Sequence, residues 1–399
     1  MNNKNIVILF LSFLTVTLSA QNIQWRGDRT GIYKETGLLK SWPENGPAMV
    51  WNYKGLGDGY SSVAISSDKI YLTGMTNGKG SIYVLDLAGK LLNKKEYGNE
   101  WTTSYEGTRG TITVNDGKLY LVSGMGEIYC FDESTLNLVW KKNFLREYNA
   151  SNIEWGINEA PLIIDDKVIV TAGGKTHNIV ALNKNTGALV WSTPGEGDLS
   201  AYCSPLYIGD QQVPQIVTLT ANHIIGVEVA TGKKLWSYKN SNRYSIHANT
   251  PVYADNMLLS VGSDESGAVM LRLTNGGRNV ERMWQVKEFD NRMGGMVKVG
   301  NYVYGSGNSR NWYCVDWRTG EIKFNERIAM GAVVANDGML YCYTDRGEML
   351  LVKASPDKFD IVSRFQVQLG TGQHWAHPVI HKGVMYVRHG DSLMAYNIK

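Results

Sequence analysis

Residues that could bind a ligand recur just before short apolar segments of this 399-residue chain. Aromatic rings pack against flat ligand faces, guanidinium groups pair with anions, and amides and imidazoles donate or accept hydrogen bonds. If the segments converge, they form one ligand site; alternatively, they hydrate a central channel and hold neighbouring elements in register. The candidates are Tyr60, Arg109, Trp155, Asn158, Glu159, Tyr202, His247, Asn249, Arg292, His374, Trp375 and His377.

Three of these candidates are histidines, which raises the question of a metal site. His374 and His377 are three residues apart, so on a regular strand their side chains face opposite sides. His247 with one of them and Glu159 could complete a set of ligands, but no spacing in the sequence indicates it. We therefore predict no metal site.

Common catalytic motifs are missing from the chain. It contains no G-x-S-x-G elbow, no phosphate-binding loop, no C-x-x-C pair and no H-E-x-x-H motif. The run GSGNSR at 305–310 has glycines but no helical pattern after it, so we predict a turn there. The sequence assigns no catalytic residue.

The elements that must position the candidates are indicated by a repeated phrase. ALNKNTGALVW, at 181–191, has the pattern of a strand, a tight turn containing glycine, and a second strand. We take the aromatic residue that ends each copy as a phase marker. The markers, spaced 40 to 51 residues apart, are Trp51, Tyr97, Trp140, Trp191, Trp236, Trp284, Phe324 and Phe365.

This period, with several short strands per unit and no helical pattern, is typical of propeller blades. We predict an all-β fold, an eight-bladed β-propeller of four-stranded antiparallel blades over residues 48–399. In seven blades the outermost strand comes directly after the third strand of the same blade in the sequence. Residues 48–54 supply the outermost strand of the eighth blade. We expect that strand to pair with residues 392–398 and close the ring, which removes two open sheet edges.

The repeated aromatic residues have a structural interpretation. An indole at the start of an outermost strand can wedge between its own blade and the next, and its burial contributes roughly 4–6 kcal/mol as an upper bound. The predicted docking residues are Trp51, Trp140, Trp191, Trp236 and Trp284.

The repeated phrase resembles the tryptophan-docking motif, roughly A-x-D-x-x-T-G-K-x-x-W, of the PQQ-type β-propeller superfamily. That superfamily includes quinoprotein alcohol dehydrogenases and the propeller lipoprotein of the outer-membrane barrel-assembly machinery. The opening WRGDRTGIYKETGLLKSWPENGPAMVW, at 25–51, is also similar to the start of a bacterial branch of PQQ-binding-like repeats. The resemblance covers nearly the whole chain after residue 20.

For the quinoproteins, the resemblance implies pyrroloquinoline quinone (PQQ) stacked on a tryptophan, commonly covered by a disulfide between adjacent cysteines, with Ca²⁺ held by Glu, Asn and Asp. Trp155 or Trp375 could stack on such a quinone, and Glu159 could supply an oxygen ligand. The chain has no adjacent cysteines and no obvious Asp base among the candidates. PQQ with Ca²⁺ therefore stays an alternative, and we assign no cofactor.

Composition narrows the choice of partners. A formal net charge of +3, without a run of basic residues, does not indicate nucleic acid or an anionic surface. Forty-three glycines and nine prolines suit many tight turns. The uninterrupted repeat favours one ring over two domains, and we expect a monomer.

The first twenty residues have the pattern of a secretory signal peptide, with Lys4, an apolar run over 6–14 and small residues before Gln21. The alternative is a membrane anchor, but the apolar run is short for a span. No cysteine lies near the expected cleavage site, so we expect no lipid anchor. We predict a periplasmic or secreted protein without a membrane span, whose polar, turn-rich segment 21–47 is an arm lying on the ring.

The four cysteines, Cys130, Cys203, Cys314 and Cys342, fall in different predicted blades. We therefore expect buried free thiols, although pairing is chemically open in an oxidising compartment.

Two functions remain open. In the first, the chain is a rigid binding or scaffold module that presents a site at the channel mouth to a protein or glycan partner. In the second, the same mouth is the active site of a PQQ-dependent alcohol or sugar dehydrogenase, or of another carbohydrate-active enzyme.

Overall fold

The computed structural model describes residues 23–264 and 266–399. The predicted signal peptide lies outside the described residues. Two short strands come first, β1 (Ile32–Tyr33) and β2 (Met49–Lys54). All later strands belong to eight four-stranded antiparallel blades, which confirms the predicted eight-bladed all-β propeller.

In seven blades the four strands are hydrogen-bonded in sequence order, from the innermost strand to the outermost, and in the last blade β2 is the outermost strand beside β33. The first four blades consist of β3 (Ala64–Ser66), β4 (Lys69–Thr76), β5 (Lys79–Asp86) and β6 (Leu91–Asn99); β7 (Thr113–Asn115), β8 (Lys118–Val122), β9 (Glu127–Asp132) and β10 (Leu138–Asn143); β11 (Leu162–Ile164), β12 (Lys167–Thr171), β13 (Ile179–Asn183) and β14 (Leu189–Thr193); and β15 (Leu206–Ile208), β16 (Gln215–Leu219), β17 (His223–Glu228) and β18 (Lys234–Lys239).

The last four blades follow the same plan. They consist of β19 (Val252–Ala254), β20 (Met257–Val261), β21 (Ala268–Thr274) and β22 (Asn279–Val286); β23 (Val297–Val299), β24 (Tyr302–Ser306), β25 (Asn311–Asp316) and β26 (Ile322–Arg327); β27 (Gly331–Asn336), β28 (Met339–Thr344), β29 (Glu348–Lys353) and β30 (Asp360–Gln366); and β31 (Val379–His381), β32 (Val384–His389) and β33 (Ser392–Asn397) with β2.

The described helices are one-turn elements, α1 (Phe144–Glu147) after β10 and a 3₁₀ turn (Asn275–Gly277) after β21. Among the described residues, no helix has the length and apolar character needed to cross a bilayer. The predicted turn at 305–310 is present, because β24 ends at Ser306 and β25 begins at Asn311.

The two middle strands of each blade carry the core. β16 and β28 are buried along their whole length, whereas the outermost strands are largely exposed. A strand packed between two neighbouring blades is covered on both faces, so it is apolar without alternation. All four cysteines are buried free thiols in different blades, as expected.

The ring closes as predicted. β2 pairs antiparallel with β33, with Trp51 opposite Ala395 and Lys54 opposite Ser392. The last blade is therefore built from both ends of the propeller, and β2 covers the edge of β33.

Two of the phase markers are wrong. In six blades the marker, in the outermost strand, pairs with a third-strand residue that lies next to a register shift between the two strands. Trp191, for example, pairs with Ala181. In the first blade that position is Asn93, opposite Val84, and in the seventh it is Ser363, opposite Leu351. Tyr97 and Phe365 lie further along the same strands, because neither blade has an aromatic residue at the marker position.

The repeat predicts that the innermost strands begin near Tyr60, Arg109 and Asn158, and these starts are too early. The first three innermost strands begin four residues later, at Ala64, Thr113 and Leu162. The residues before them form irregular connections on one face of the ring. We call this the upper face, and the opposite face, which carries the turns between first and second strands, the lower face.

The arm does not simply lie on the ring, because its first part enters the central channel. Ile23 accepts a hydrogen bond from Val114 N–H, beside the lower ends of β3 and β7. The chain then turns beneath the upper face, and β1 runs parallel to β27, with Tyr33 paired to Asn336. Residues 23–33 therefore form a plug inside the ring, which we call the channel plug.

Candidate functional site

A cavity of about 410 Å³ opens at the upper face, directly above the channel plug. This volume lies within the roughly 300–1,000 Å³ typical of small-molecule sites. Seven of the eight connections into the innermost strands contribute lining residues, namely 55–63, 100–112, 148–161, 194–205, 240–251, 287–296 and 367–378. The eighth connection, 328–330, is only three residues long and does not reach the cavity.

Aromatic side chains form a large part of the wall. Trp375 lies between Tyr60 and Tyr105, with ring centroids 4.9 and 5.0 Å away and interplanar angles of 44° and 54°. Trp155 and Tyr202 form a second aromatic pair, 6.1 Å apart. The wall is therefore curved, with tilted rings that offer apolar faces to a ligand. The aromatic lining comprises Trp25, Tyr60, Tyr105, Trp155, Tyr202, Tyr244 and Trp375.

Arg109 is the most enclosed cation of the wall. Its Nη atoms donate to the carbonyl oxygens of Gly107, Ser104 and Tyr105, at 2.8, 3.0 and 2.7 Å. The guanidinium carbon lies 5.9 Å from the Tyr60 ring centre. Burial lowers the pKa of Arg109. A guanidinium has five N–H donors, so this arrangement fixes the group while leaving donors for a ligand.

Arg292 is a more exposed lining cation on the far side of the ring. Its Nη2 lies 3.4 Å from Oδ1 of Asp264. The guanidinium of Arg26, in the channel plug, lies 5.4 Å from the Trp25 ring, and its Nη2 donates to Met296 O at 2.6 Å. Burial lowers the pKa of Arg26 to about 10, so it is charged at neutral pH.

His377 lines the cavity next to the plug. The Trp25 ring meets its imidazole edge to face at 5.2 Å, and its backbone is held by Ser62 Oγ. Burial and the neighbouring charge of Arg26 hold the pKa of His377 well below its usual range. Its Nδ1 is buried without a hydrogen-bond partner. The imidazole is therefore neutral, and no partner orients it as a base.

The two asparagines in the cavity lining differ in burial and in how firmly hydrogen bonds hold their amides. Asn249 donates to Val261 O and Asn291 O and accepts from Gly295 N–H, so it ties two blades together. Asn158 lies on the opposite wall and is partly exposed. Asn158 is therefore the amide that is more accessible to a ligand.

Three sequence candidates lie outside the cavity lining. Glu159 is buried, and both its carboxylate oxygens accept from Thr171 N–H, at 3.2 and 3.0 Å. Burial raises the pKa of Glu159 to about 8. His247 is also buried, close to Asn242 Nδ2, and burial lowers its pKa to about 4. His374 stacks on His389 at 3.7 Å.

These placements bear on a metal site. Of the three histidines, only His377 lines the cavity. Among the described residues, no group of three or more His, Cys, Asp or Glu is arranged to hold a metal ion.

The residues also do not fit PQQ with Ca²⁺. No Asp or Glu belongs to the cavity lining, whereas Ca²⁺ binds through hard oxygen ligands that normally include carboxylates. Glu159, the proposed oxygen ligand, is already engaged by Thr171. Trp155 and Trp375 could each stack on a planar group, but the cation that the resemblance implies has no carboxylate here.

Several lining residues were missed from the sequence. Trp25 belongs to the plug, and Tyr105 and Tyr244 sit earlier in their connections than the residues that we singled out. Tyr105 has a positive φ of 45°, a conformation that is uncommon for a bulky residue. The aromatic content of 100–112 and 240–251 was the available signal.

Comparison with known proteins places the chain in a family. Residues 78–326, more than half of the chain, match the family model described as outer membrane protein assembly factor BamB. The BamB of Shewanella oneidensis is 29% identical over 133 residues, covering 33% of this chain and 32% of that protein. A quinoprotein ethanol dehydrogenase of Pseudomonas putida is 23% identical over 153 residues, covering 34% of this chain and 24% of the dehydrogenase. The chain thus spans about a third or less of these curated relatives.

Solved structures agree on the fold. BamB from Moraxella catarrhalis superposes with a TM-score of 0.65 and 16% identity, covering 88% of this chain and 99% of that one. The quinohemoprotein alcohol dehydrogenase from Comamonas testosteroni gives a TM-score of 0.70 and 11% identity, covering 95% and 80%. Because the family model covers more than half of the chain, the chain belongs to the PQQ-like β-propeller family whose model is described as outer membrane protein assembly factor BamB.

Proposed function

We propose that this propeller is a rigid, non-catalytic binding module whose site is the cavity at the upper face. The observation that carries the proposal is the composition of the lining, which is rich in aromatic rings and cations but has no carboxylate. Its one imidazole is neutral and has no partner at Nδ1. Such a wall can hold a ligand by stacking and hydrogen bonding, but it lacks a poised acid or base.

The partner is a glycan or a protein segment presented to the upper face. The family name supports a protein partner, because an assembly factor acts on other proteins. The curved aromatic wall favours a glycan, since tilted rings match the successive C–H faces of a bent sugar chain. We propose the glycan as the ligand of the cavity itself.

We also propose that the chain is exported and monomeric, consistent with the amino-terminal pattern and with a family that works at the outer membrane. The closed last blade supports a monomer, because β2 covers an edge that another copy could otherwise extend. Light scattering coupled to gel filtration tests the monomer: a mass near the 44.4 kDa of the chain, less any removed signal peptide, is expected. A mass twice as large contradicts it.

An oligosaccharide array tests the binding function. The wild-type protein should capture a subset of glycans, and Trp375→Ala should lose at least about ten-fold in affinity, since one stacking face is removed. Tyr207→Ala is the matched control, because Tyr207 is an aromatic residue of β15 that is 43% exposed and does not line the cavity. Equal capture by wild type and Trp375→Ala would contradict the assigned site.

The rival function, a PQQ-dependent dehydrogenase, has a separate test. Titration with PQQ and Ca²⁺, followed by tryptophan fluorescence and by dye reduction with alcohols and sugars, should give neither saturable binding nor turnover. Turnover that requires both PQQ and Ca²⁺ would overturn the non-catalytic proposal.

A further inference from the structure

The cavity wall carries two guanidinium groups, one of which has no carboxylate partner. Arg109 is held by three carbonyl oxygens and not by a carboxylate. Arg292 forms a 3.4 Å ion pair with Asp264, which lies outside the lining, and Arg26 adds a buried charge beneath the Trp25 floor. A buried or enclosed guanidinium gains most from an anionic partner with two oxygens.

The acidic groups near the site are placed outside the lining. Asp58 and Glu106 lie close enough to raise the pKa of Tyr60, Glu154 raises the pKa of Tyr202, and the buried Glu100 acts on the pKa of Arg109. None of these four acidic residues lines the cavity. A ligand inside the cavity therefore meets guanidinium groups and aromatic rings first, and carboxylates only near the rim or behind the wall.

The shape of the wall favours a sugar over a flat aromatic acid. Trp375 is tilted by 44° and 54° to its two aromatic neighbours. A flat ligand can lie against one such ring at a time, whereas consecutive sugar rings change direction at each glycosidic bond. Stacking on tilted rings thus suits a chain of sugars.

The channel plug limits which part of a glycan chain can enter the cavity. Trp25 closes the floor of the cavity, and Arg29 fixes the plug by donating to the carbonyl oxygens of Ala160, Pro161 and Pro205. A strand of sugars cannot pass through the ring. The cavity is open on the upper face only, so it accepts the end of a chain.

We propose that the cavity binds the terminal units of an acidic glycan, with the carboxylate of one uronic acid paired to Arg109, the carboxylate of another unit reaching Arg292 on the far side, and sugar faces packed on Trp375 and Tyr60. This inference rests on the proposed binding function and adds the chemical class of the ligand and the part of the chain that is recognised.

The test compares an acidic ligand with its neutral methyl ester. Trigalacturonate and its fully methyl-esterified form are titrated into the full-length protein by calorimetry at low and moderate salt. Hydrogen bonds to charged groups predict about a ten-fold or greater preference for the free acid. Added salt should weaken binding of the acid more than that of the ester, because exposed charges are screened.

Two arginine variants assign the charge to the cavity. Arg292→Met should reduce affinity for trigalacturonate by about five-fold or more and leave the ester unaffected. Arg310→Met is the matched control, because Arg310 is similarly exposed, also pairs with an aspartate, Asp345, and lies outside the cavity lining. Arg109→Met should have a larger effect, with its melting temperature measured to separate binding from folding.

The outcomes separate the two proposals. Equal affinity for acid and ester, or no binding of either, overturns the acidic-glycan inference. If Trp375→Ala still abolishes capture of other glycans on the array, the proposed binding function stands without the acidic-glycan inference. If one hexagalacturonate molecule binds with the same affinity as one trigalacturonate molecule, the result supports recognition of a chain end. An affinity that rises in proportion to the length of the oligosaccharide contradicts recognition of a chain end.

Discussion

At the scale of single residues, the centre of the ring is unusual for its buried charged groups. Arg26, Arg29 and Arg388 are each at most 5% exposed, and their donors go mainly to backbone carbonyl oxygens. Burying a charge is costly unless its hydrogen bonds are satisfied. These groups therefore make the geometry of the channel dependent on a few side chains.

Glu159 gives a prediction about pH. Burial raises its pKa in the folded protein to about 8 from an ordinary value of 4.5, so the folded state keeps a proton that the unfolded chain loses. The free energy of unfolding should therefore fall as the pH rises from about 5 to 8, and the contribution of this residue is fully present only below pH 4.5. Glu159→Gln, which is uncharged throughout, should lose roughly 2–4 kcal/mol of this pH dependence.

Urea unfolding at pH 5 and pH 8 measures the effect, with Glu154→Gln as an exposed control five residues away. A Glu159→Gln protein whose stability changes with pH as the wild type does would show that Glu159 is not buried in its protonated form.

The residue scale also shows what the sequence could predict of the site. Position before an innermost strand was enough to find Tyr60, Arg109, Trp155 and Trp375, because seven connections meet at one mouth. It could not separate Asn158 from its neighbour Glu159, which turns into the blade toward Thr171. In an irregular connection there is no period from which to read the direction of a side chain.

At the scale of elements, the aromatic residue of one blade meets the turn of the next. Trp51, Trp140, Trp191 and Trp284 each donate Nε1–H to a backbone carbonyl oxygen of the following blade, at 2.9 to 3.2 Å. Trp236 differs, since it donates to Gln215 Oε1 in its own blade. We interpret these contacts as the joints between blades.

Replacing one ring tests this interpretation. Trp191 is 8% exposed, so Trp191→Ala should lower the free energy of unfolding by roughly 3–5 kcal/mol, as for other buried aromatic residues. Val190→Ala is the control in the same strand, because Val190 is 42% exposed. Thermal melts that agree within about a degree for wild type and Trp191→Ala would show that the ring is not wedged.

The glycine of the facing turn provides a second test. Gly232 has a φ of +72°, and a Cβ there would lie 2.3 Å from Cε3 of Trp191. Gly338 has nearly the same φ, +71°, with no atom within 4 Å of its Cβ position. Gly338→Ala should cost only the strain of the left-handed backbone, about 1–2 kcal/mol.

Gly232→Ala should cost clearly more than Gly338→Ala, because it also displaces the indole of Trp191. Chemical unfolding of the two variants and the wild type measures the difference. Equal losses would mean that the indole moves aside freely and that the joint is loose.

Element boundaries mark the limit of sequence reasoning about the fold. The repeat predicted eight blades and their closure, but the marker position of the seventh blade is Ser363 and not Phe365. There Trp42 of the arm exchanges hydrogen bonds with Ser363 and packs 5.5 Å from Phe365. A residue 321 positions away fills this place, which no local pattern could indicate.

At the scale of the whole molecule, the arm contacts six of the eight blades, on both sides of the ring. Ile23 contacts the second blade, Arg29 the third and fourth, Arg26 the sixth, and Tyr33 the seventh. Further along, Glu35 accepts from Lys382 and Gly383 N–H in the eighth. The plug is thus a cross-brace as well as the floor of the cavity.

Removing one contact of the brace should weaken the entire ring. Arg29→Met removes the guanidinium donor from the carbonyl oxygens of Ala160 and Pro205, whereas Pro161 keeps Thr113 Oγ1 as a donor; unsatisfied buried groups cost roughly 1–3 kcal/mol each. We expect a single cooperative transition at lower urea concentration. Arg146→Met, at an exposed position in α1, should change little; equal stability of both variants would contradict the role of the plug.

We propose that the upper-face cavity, floored by the arm and walled by aromatic rings, is where this protein binds its ligand. A crystal structure of the protein with the tightest-binding glycan from the array tests this assignment most directly. We expect sugar density against Trp375 and Tyr60 above Trp25, with the channel plug in place. Density on the outer strands or the lower face, with the cavity unchanged, would contradict it.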